Sequence, residues 1–205
     1  TTKRLVKPIN TLKFLPILKN LKLNFVNRTL RYFVKKKYSR NISINPYKIS
    51  DNFKIIDDSF KLRKIVKNNE FAEIIRDEKW LHWRLIECPY KKDIYFFEYK
   101  NNFAIVHIFY QYVKRLNILY TYSTDKLQEN ELYVQVMNWA INNDIDLVWA
   151  INRNTELKNI FPTIFDKPLK FAAWSLDEKI LKILQNGLLD LQGIDTDTDS
   201  CLYVD

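Results

Sequence analysis

Residues 103–151 constrain the fold more than any other stretch of the chain. Two strand-like runs, Phe103–Val113 and Ile118–Ser123, are separated only by Lys114-Arg115-Leu116-Asn117. A helical run follows over about residues 126–142, then a short apolar run, Leu147-Val148-Trp149-Ala150-Ile151. Strand, strand, helix, strand is a hairpin feeding a crossover. A helix-sized connection lets the last strand lie parallel to the one before the helix. The opening in such a unit is a common place for a ligand.

The alternation inside this stretch says what covers it. Phe103, Ile105, His107 and Phe109 share one face of the first strand; Ala104, Val106, Ile108 and Tyr110 share the other. Both faces are apolar, which predicts a central strand covered on both sides. The helix carries Leu132, Val136, Trp139 and Ala140 on one stripe, widened by Tyr133, Met137 and Ile141, so it is substantially buried.

The flanking segments are read by their stop and start signals. Ile94–Tyr99 is a strand that turns back through Lys100-Asn101-Asn102, where Asn tolerates a left-handed conformation. Asp77 caps a helix over Glu78–Glu87 that ends before Pro89. Upstream, residues 41–56 are extended and Asp57 or Asp58 opens a helix through Val66. Downstream, Asn154 caps a short helix Thr155–Phe161, Lys170–Leu176 is a strand, and Asp177–Gln185 is a helix or turn.

Charge divides the chain in two. Residues 1–40 hold 12 of the 33 Lys and Arg and none of the 24 Asp and Glu, leaving 21 basic against 24 acidic residues beyond. The net +9 is therefore a property of the leader. After Pro16, Leu18, Leu21, Phe25, Leu30 and Phe33 recur at helical steps, with Lys19, Lys22, Arg28, Arg31 and Lys35 between them. The expectation is a basic amphipathic helical leader or linker over 1–40, ahead of one domain at 41–205. Its apolar face packs on the body or on a preceding domain, or it lies on an anionic membrane surface. Nucleic acid is disfavoured, because no base-reading module accompanies the charge.

Several function classes are excluded or disfavoured. Two glycines in the whole chain argue against a phosphate-wrapping glycine loop. Cys88 and Cys201 have no metal or redox spacing, and no signal peptide is visible, so the expected location is cytoplasmic. A peripheral place at the inner membrane surface follows if the leader binds lipid. Asp195, Asp197 and Asp199 alternate but lack the glycine and glutamate of a calcium loop, so no metal is expected.

The stretch Arg76-Asp77-Glu78-Lys79-Trp80-Leu81-His82-Trp83-Arg84-Leu85-Ile86-Glu87-Cys88-Pro89 resembles the R-D-x-x-x-L-x-W-R-x-x-x-x-P pattern of a known group. That group is the GNAT superfamily of N-acetyltransferases, and within it the acyltransferase-like domains associated with polysaccharide biosynthesis. Asn154 with Leu157, Phe161 and Ile164-Phe165, Trp174, and Asp195-Thr196-Asp197 are similar by position, and the resemblance spans about residues 45–199. It implies an α+β fold with a mixed, mostly antiparallel sheet flanked by helices. It also implies acetyl-CoA or another acyl-CoA as co-substrate, and an amine acceptor, an amino sugar or glycan precursor among them.

Site residues follow from the same resemblance. The pantetheine arm would pair with Leu119, Tyr120, Thr121, Tyr122 and Ser123; the pyrophosphate would meet Lys126, Leu127 and Gln128 at the helix start; Asn154 would complete the cofactor set. The sequence departs from the family at that helix start. It has no glycine, Lys126 is its only basic residue, and Asp125 with Gln128 forms a capping box. Glu129 and Glu131 suit the helix dipole and repel phosphate. Candidate proton carriers are His107, Tyr120 and Tyr122; each also fits as an ordinary packing residue. Trp80, Trp83 and Arg84 would wall the acceptor site, with Arg84 on a carboxylate, or pack as structural groups. The chain is therefore expected to be an N-acyltransferase, a non-catalytic GNAT-like half of a tandem protein, or a module that binds membrane or protein through its leader.

Overall fold

The computed structural model describes residues 3–8, 44–49, 72–73, 77–87, 93–110, 113–123, 125–152, 176–186 and 189–190. The elements are β1 (Lys3–Pro8), β2 (Tyr47–Lys48), β3 (Ala72–Glu73), α1 (Glu78–His82) with a π-helical turn (Trp83–Glu87), β4 (Ile94–Tyr99), β5 (Asn102–Tyr110), β6 (Lys114–Tyr122), α2 (Lys126–Asn142), β7 (Leu147–Asn152), α3 (Glu178–Gln185) and β8 (Leu189–Asp190). The fold is mixed α+β. Six strands run in the order β1-β7-β6-β5-β4-β2, and β3 with β8 forms a separate two-stranded parallel pair. Among the described strands of the large sheet only β6 and β7 are parallel.

The β4–β5 hairpin closes on a two-residue turn. Lys100 and Asn101 have φ of 48° and 63°, the paired left-handed conformation whose twist suits a tight hairpin. Asn102 already belongs to β5. Its amide donates back to the carbonyls of Lys100 (2.7 Å) and Tyr99 (3.0 Å), so one buried side chain holds the turn closed.

Helix α2 begins where Asp125 accepts from the Gln128 amide at 2.8 Å. Its buried stripe of Leu132, Tyr133, Val136, Met137, Ala140 and Ile141 lies on Ala104, Val106, Leu116, Ile118, Val148 and Ala150 of the sheet. Each such large apolar side chain stabilises by ~1.5–3 kcal/mol when removed from water. The chain leaves α2 through Asp144, at φ 58°. Buried Asp146 then locks the starts of β6 and β7 together: its carboxylate accepts from the Lys114 amide (2.9 Å) and its own amide donates to the Lys114 carbonyl (2.7 Å).

The opposite face of the sheet carries a second core. Phe96, Phe103, Ile105, Leu119 and Tyr120 pack there with Leu81 and Leu85 from α1 and its π-helical turn. Strand β5 is thus covered on both faces, as its alternation predicts.

Three expectations need correction. Lys114-Arg115-Leu116-Asn117 is the first part of β6 and not a connector. Its charged and amide side chains read as a loop, yet Arg115, Leu116 and Asn117 are all buried in the sheet. Strand β5 correspondingly stops at Tyr110, before Val113. At the N-terminus, Lys3–Pro8 is a strand pairing antiparallel with β7, where the leader was expected to be helical. Among the described strands it stands at the edge of the sheet, with proline at its last position, which the ladder tolerates there. Residues 9–40, the helix expected before Val66, the helix Thr155–Phe161 and the acidic tail lie outside the described residues, as does the strand 170–176 except Leu176. Among the described residues no helix is long and apolar enough to cross a membrane.

Candidate functional site

The parallel ladder between β6 and β7 is short. It runs from Arg115 opposite Leu147 to Ile118 opposite Ala150. Both strands continue past that point with other partners: β6 runs to Tyr122 along β5, and β7 runs to Asn152 along β1. The ladder therefore ends inside the sheet, on the side where β6 leads into α2.

A bulge sits at the same place. Against β5 the register steps from Val106 opposite Ile118 to Ile105 opposite Tyr120, so Leu119 is an extra residue in β6. The bulge sends two successive side chains, Leu119 and Tyr120, into the same core opposite α2, while Ile118 packs under α2. Thr121 returns to the α2 side, where its hydroxyl lies 3.1 Å from the Tyr133 hydroxyl. Such bulges bend a strand and loosen its pairing with a neighbour. Here the bent part is the part that has left β7.

The expected cofactor residues divide on this geometry. Leu119, Tyr120 and Thr121 are buried, Tyr122 and Ser123 half-buried, and Leu127 is 78% exposed on the first turn of α2. Asn154 lies outside the described residues.

Two amides at the helix start are taken by Asp125. The Gln128 amide is held by Asp125, and the Glu129 amide bonds the Asp125 carbonyl at 3.0 Å. The Gln128 side-chain carbonyl also accepts from Asn102 at 2.7 Å. The single Ser123 hydroxyl proton is shared between the Asn102 side-chain oxygen (2.9 Å) and the Asp125 carbonyl (2.7 Å). The hairpin turn, the end of β6 and the first turn of α2 are thereby tied into one polar network. Lys100 adds an ion pair to Glu131 at 3.1 Å. That pair holds the Glu131 carboxyl below its ordinary range.

The candidate proton carriers all lie on the face opposite α2. His107 is buried one register step below the last β6–β7 pair, opposite Asn117. Tyr120 is sealed in the core and stacks on Phe103 at 5.8 Å. Tyr122 also stacks on Phe103, at 5.4 Å, and is only half-buried, so its hydroxyl is the more accessible of the two.

The expected acceptor wall does not form as one surface. Leu81, Arg84 and Leu85 take the inward stripe, at the spacing of one helical face. Trp80 is half-buried against the same core, whereas Trp83 points outward and is 48% exposed. The π-helical turn adds a pairing that an α-helix would not make: His82 lies 3.0 Å from Glu87, five residues on.

Arg115, Asn117 and Asn102 were missed as interior groups by the sequence reading. Among the described residues no group of three or more His, Cys, Asp or Glu is placed to hold a metal ion. Comparison with protein-family models and with curated proteins finds no match.

Proposed function

We propose that the chain is a GNAT-type acyl-CoA-dependent N-acyltransferase. One observation carries the reading: the β6–β7 ladder ends at Ile118 and Ala150 while both strands continue, and the Leu119 bulge coincides with that end. A cofactor arm that carries amide groups can be met there by strand backbone. The crossover through α2 brings a helix start to the same end of the sheet, where an anion is favoured.

In this reading the acceptor amine attacks the thioester carbonyl directly. A bond forms from nitrogen to the carbonyl carbon, and the carbon–sulfur bond breaks. Backbone N–H groups near the bulge polarise the carbonyl oxygen. Tyr122 is the better placed hydroxyl to protonate the leaving thiolate, because Tyr120 is sealed in the core. The proton from the amine passes to water; His107, buried like Tyr120, is no better placed to take it. An amino sugar or glycan-linked amine is the acceptor class that the sequence resemblance favours.

A second reading has its own support. The Gln128 and Glu129 amides in the first turns of α2 are already bonded to Asp125, with Glu129 and Glu131 adding negative charge. A pyrophosphate would have to displace that cap and sit beside these carboxylates. A GNAT-like half without catalysis, acting through a partner copy, fits this capped helix start.

Calorimetry with acetyl-CoA separates the two. Saturable binding that weakens when Tyr122 and Ser123 are replaced by alanine supports the enzyme. Absence of heat at millimolar ligand, with the chain folded, supports the non-catalytic half. The Asp125→Ala variant sharpens the result: if the cap excludes pyrophosphate, the variant binds acetyl-CoA more tightly than the natural chain.

A further inference from the structure

Away from the end of the ladder, the start of β6 holds an unusual cation. Arg115 is 9% exposed and stands on the face opposite α2. Its guanidinium carbon lies 5.2 Å from the centre of the Phe109 ring and 5.6 Å from that of Trp149. Phe109 is directly opposite it on β5, and Trp149 is diagonal to it on β7. His107 and Asn117, both buried, occupy the next row on the same face.

Among the described residues, neither Nε nor Nη2 of Arg115 has a hydrogen-bond partner, although both are buried. These two nitrogens form one in-plane edge of the guanidinium. Two parallel N–H groups on one edge match the two oxygens of a carboxylate. Aromatic rings satisfy part of a cation's need, but they do not accept its in-plane N–H groups as an anion does. A buried guanidinium without an anion is strongly unfavourable. One guanidinium balances one negative charge, which favours a carboxylate over a doubly charged phosphate.

We propose that Arg115 is a receptor for the carboxylate of a small organic acid, bound edge-on by Nε and Nη2 between Phe109 and Trp149. The site does not depend on the acyl-transfer reading. It lies at the opposite end of the β6–β7 ladder from the bulge, about 10 Å along the strand from Ile118 at ~3.3 Å per residue.

The test is an acetate titration of the full chain at constant ionic strength, with chloride as the balancing anion. The Arg115 Nε–H resonance is followed by NMR and the melting temperature in parallel. The proposal expects a saturable downfield shift of that resonance and a melting temperature that rises with acetate. Arg115→Met should fold and lose the thermal response. If a carboxylate of this chain already holds the edge, the resonance lies downfield before acetate is added and does not move, which overturns the proposal. An equal shift in chloride alone overturns it as well. Both decisive readouts use the natural chain, so they stand even if the methionine variant does not fold.

Discussion

Ile118 of β6 and Ala150 of β7 are the last pair in the parallel ladder, although both strands run on past them. Four residues of β6 and two of β7 lie beyond that pair, each still held from its outer side by an antiparallel neighbour. The other end of the ladder is fixed by the double hydrogen bond between Lys114 and Asp146. The two strands therefore start locked and finish apart. The change of partner takes place within one residue of the extra residue Leu119.

Deleting Leu119 tests whether the bulge sets this separation. Leu119 and Tyr120 point into the same core, so removing Leu119 leaves the remaining side chains on their present faces. The expected result is a straighter β6 and a longer ladder with β7. Of the Ile151 and Asn152 backbone amides, the one that faces β6 should then exchange more slowly with solvent. The lost core side chain costs ~2–5 kcal/mol. Unchanged exchange at those two amides in a folded variant would show that the bulge does not hold the strands apart.

Tyr133 carries the link between the diverging strand and α2. Its hydroxyl meets Thr121 at 3.1 Å in a buried pair. Tyr133→Phe leaves the ring in place and the Thr121 hydroxyl without this partner. The cost should be ~1–2 kcal/mol. For a chain of this size that is a fall of roughly 2–8 °C in melting temperature. A thermal melt checks it, and a fall below one degree would mean that the pair contributes little.

Much of this architecture was legible because its signals are local. Apolar faces on alternating residues marked β5 from Phe103 to Tyr110, and a helical stripe with Asp125 ahead of it marked α2, whose bounds are Lys126–Asn142. The hairpin turn was legible from Asn101, though the left-handed Lys100 beside it was not. Long-range pairing was harder to see. Nothing within Lys3–Pro8 says that it will pair with Leu147–Asn152, since an edge strand takes its structure from its neighbour. Arg115 and Asn117 were hidden for another reason. Polar side chains in a buried strand look like a loop until the row of residues across the sheet is known. The candidate site divides in the same way. The strand–helix–strand unit was visible, but the bulge is a property of two strands together.

Asn102 is the next test, because one buried amide joins three elements. It donates to the Tyr99 and Lys100 carbonyls and to Gln128, and it accepts from Ser123. Asn102→Ala opens the hairpin turn and frees the first turn of α2 together. Each orphaned buried polar group costs about 1–3 kcal/mol, so the total should exceed the Tyr133→Phe loss. Urea unfolding of both variants gives the comparison. If the network also closes the helix start against phosphate, the surviving folded Asn102→Ala protein should bind acetyl-CoA more tightly than the natural chain.

Tyr47 supplies a pH test at the far edge of the sheet. Its hydroxyl donates to Glu98 at 2.9 Å, and its ring stacks on Phe96 at 5.7 Å. Loss of solvent, then the hydrogen bond to the Glu98 carboxylate and its charge, push the phenol from 10.0 up to about 12. Below about pH 10 the hydroxyl is protonated in both the folded and the unfolded chain, and its contribution is fully present. As pH rises from about 10 to about 12, the unfolded chain gives up this proton while the folded chain keeps it, so stability falls. The group is only half-buried, so solvent screening limits the loss to about 1 kcal/mol. Tyr47→Phe removes the titration and keeps the stacked ring. The stability advantage of the natural chain over this variant, from urea midpoints, should shrink between about pH 10 and 12. An advantage that stays constant over that window would show that the Tyr47 proton is not linked to folding.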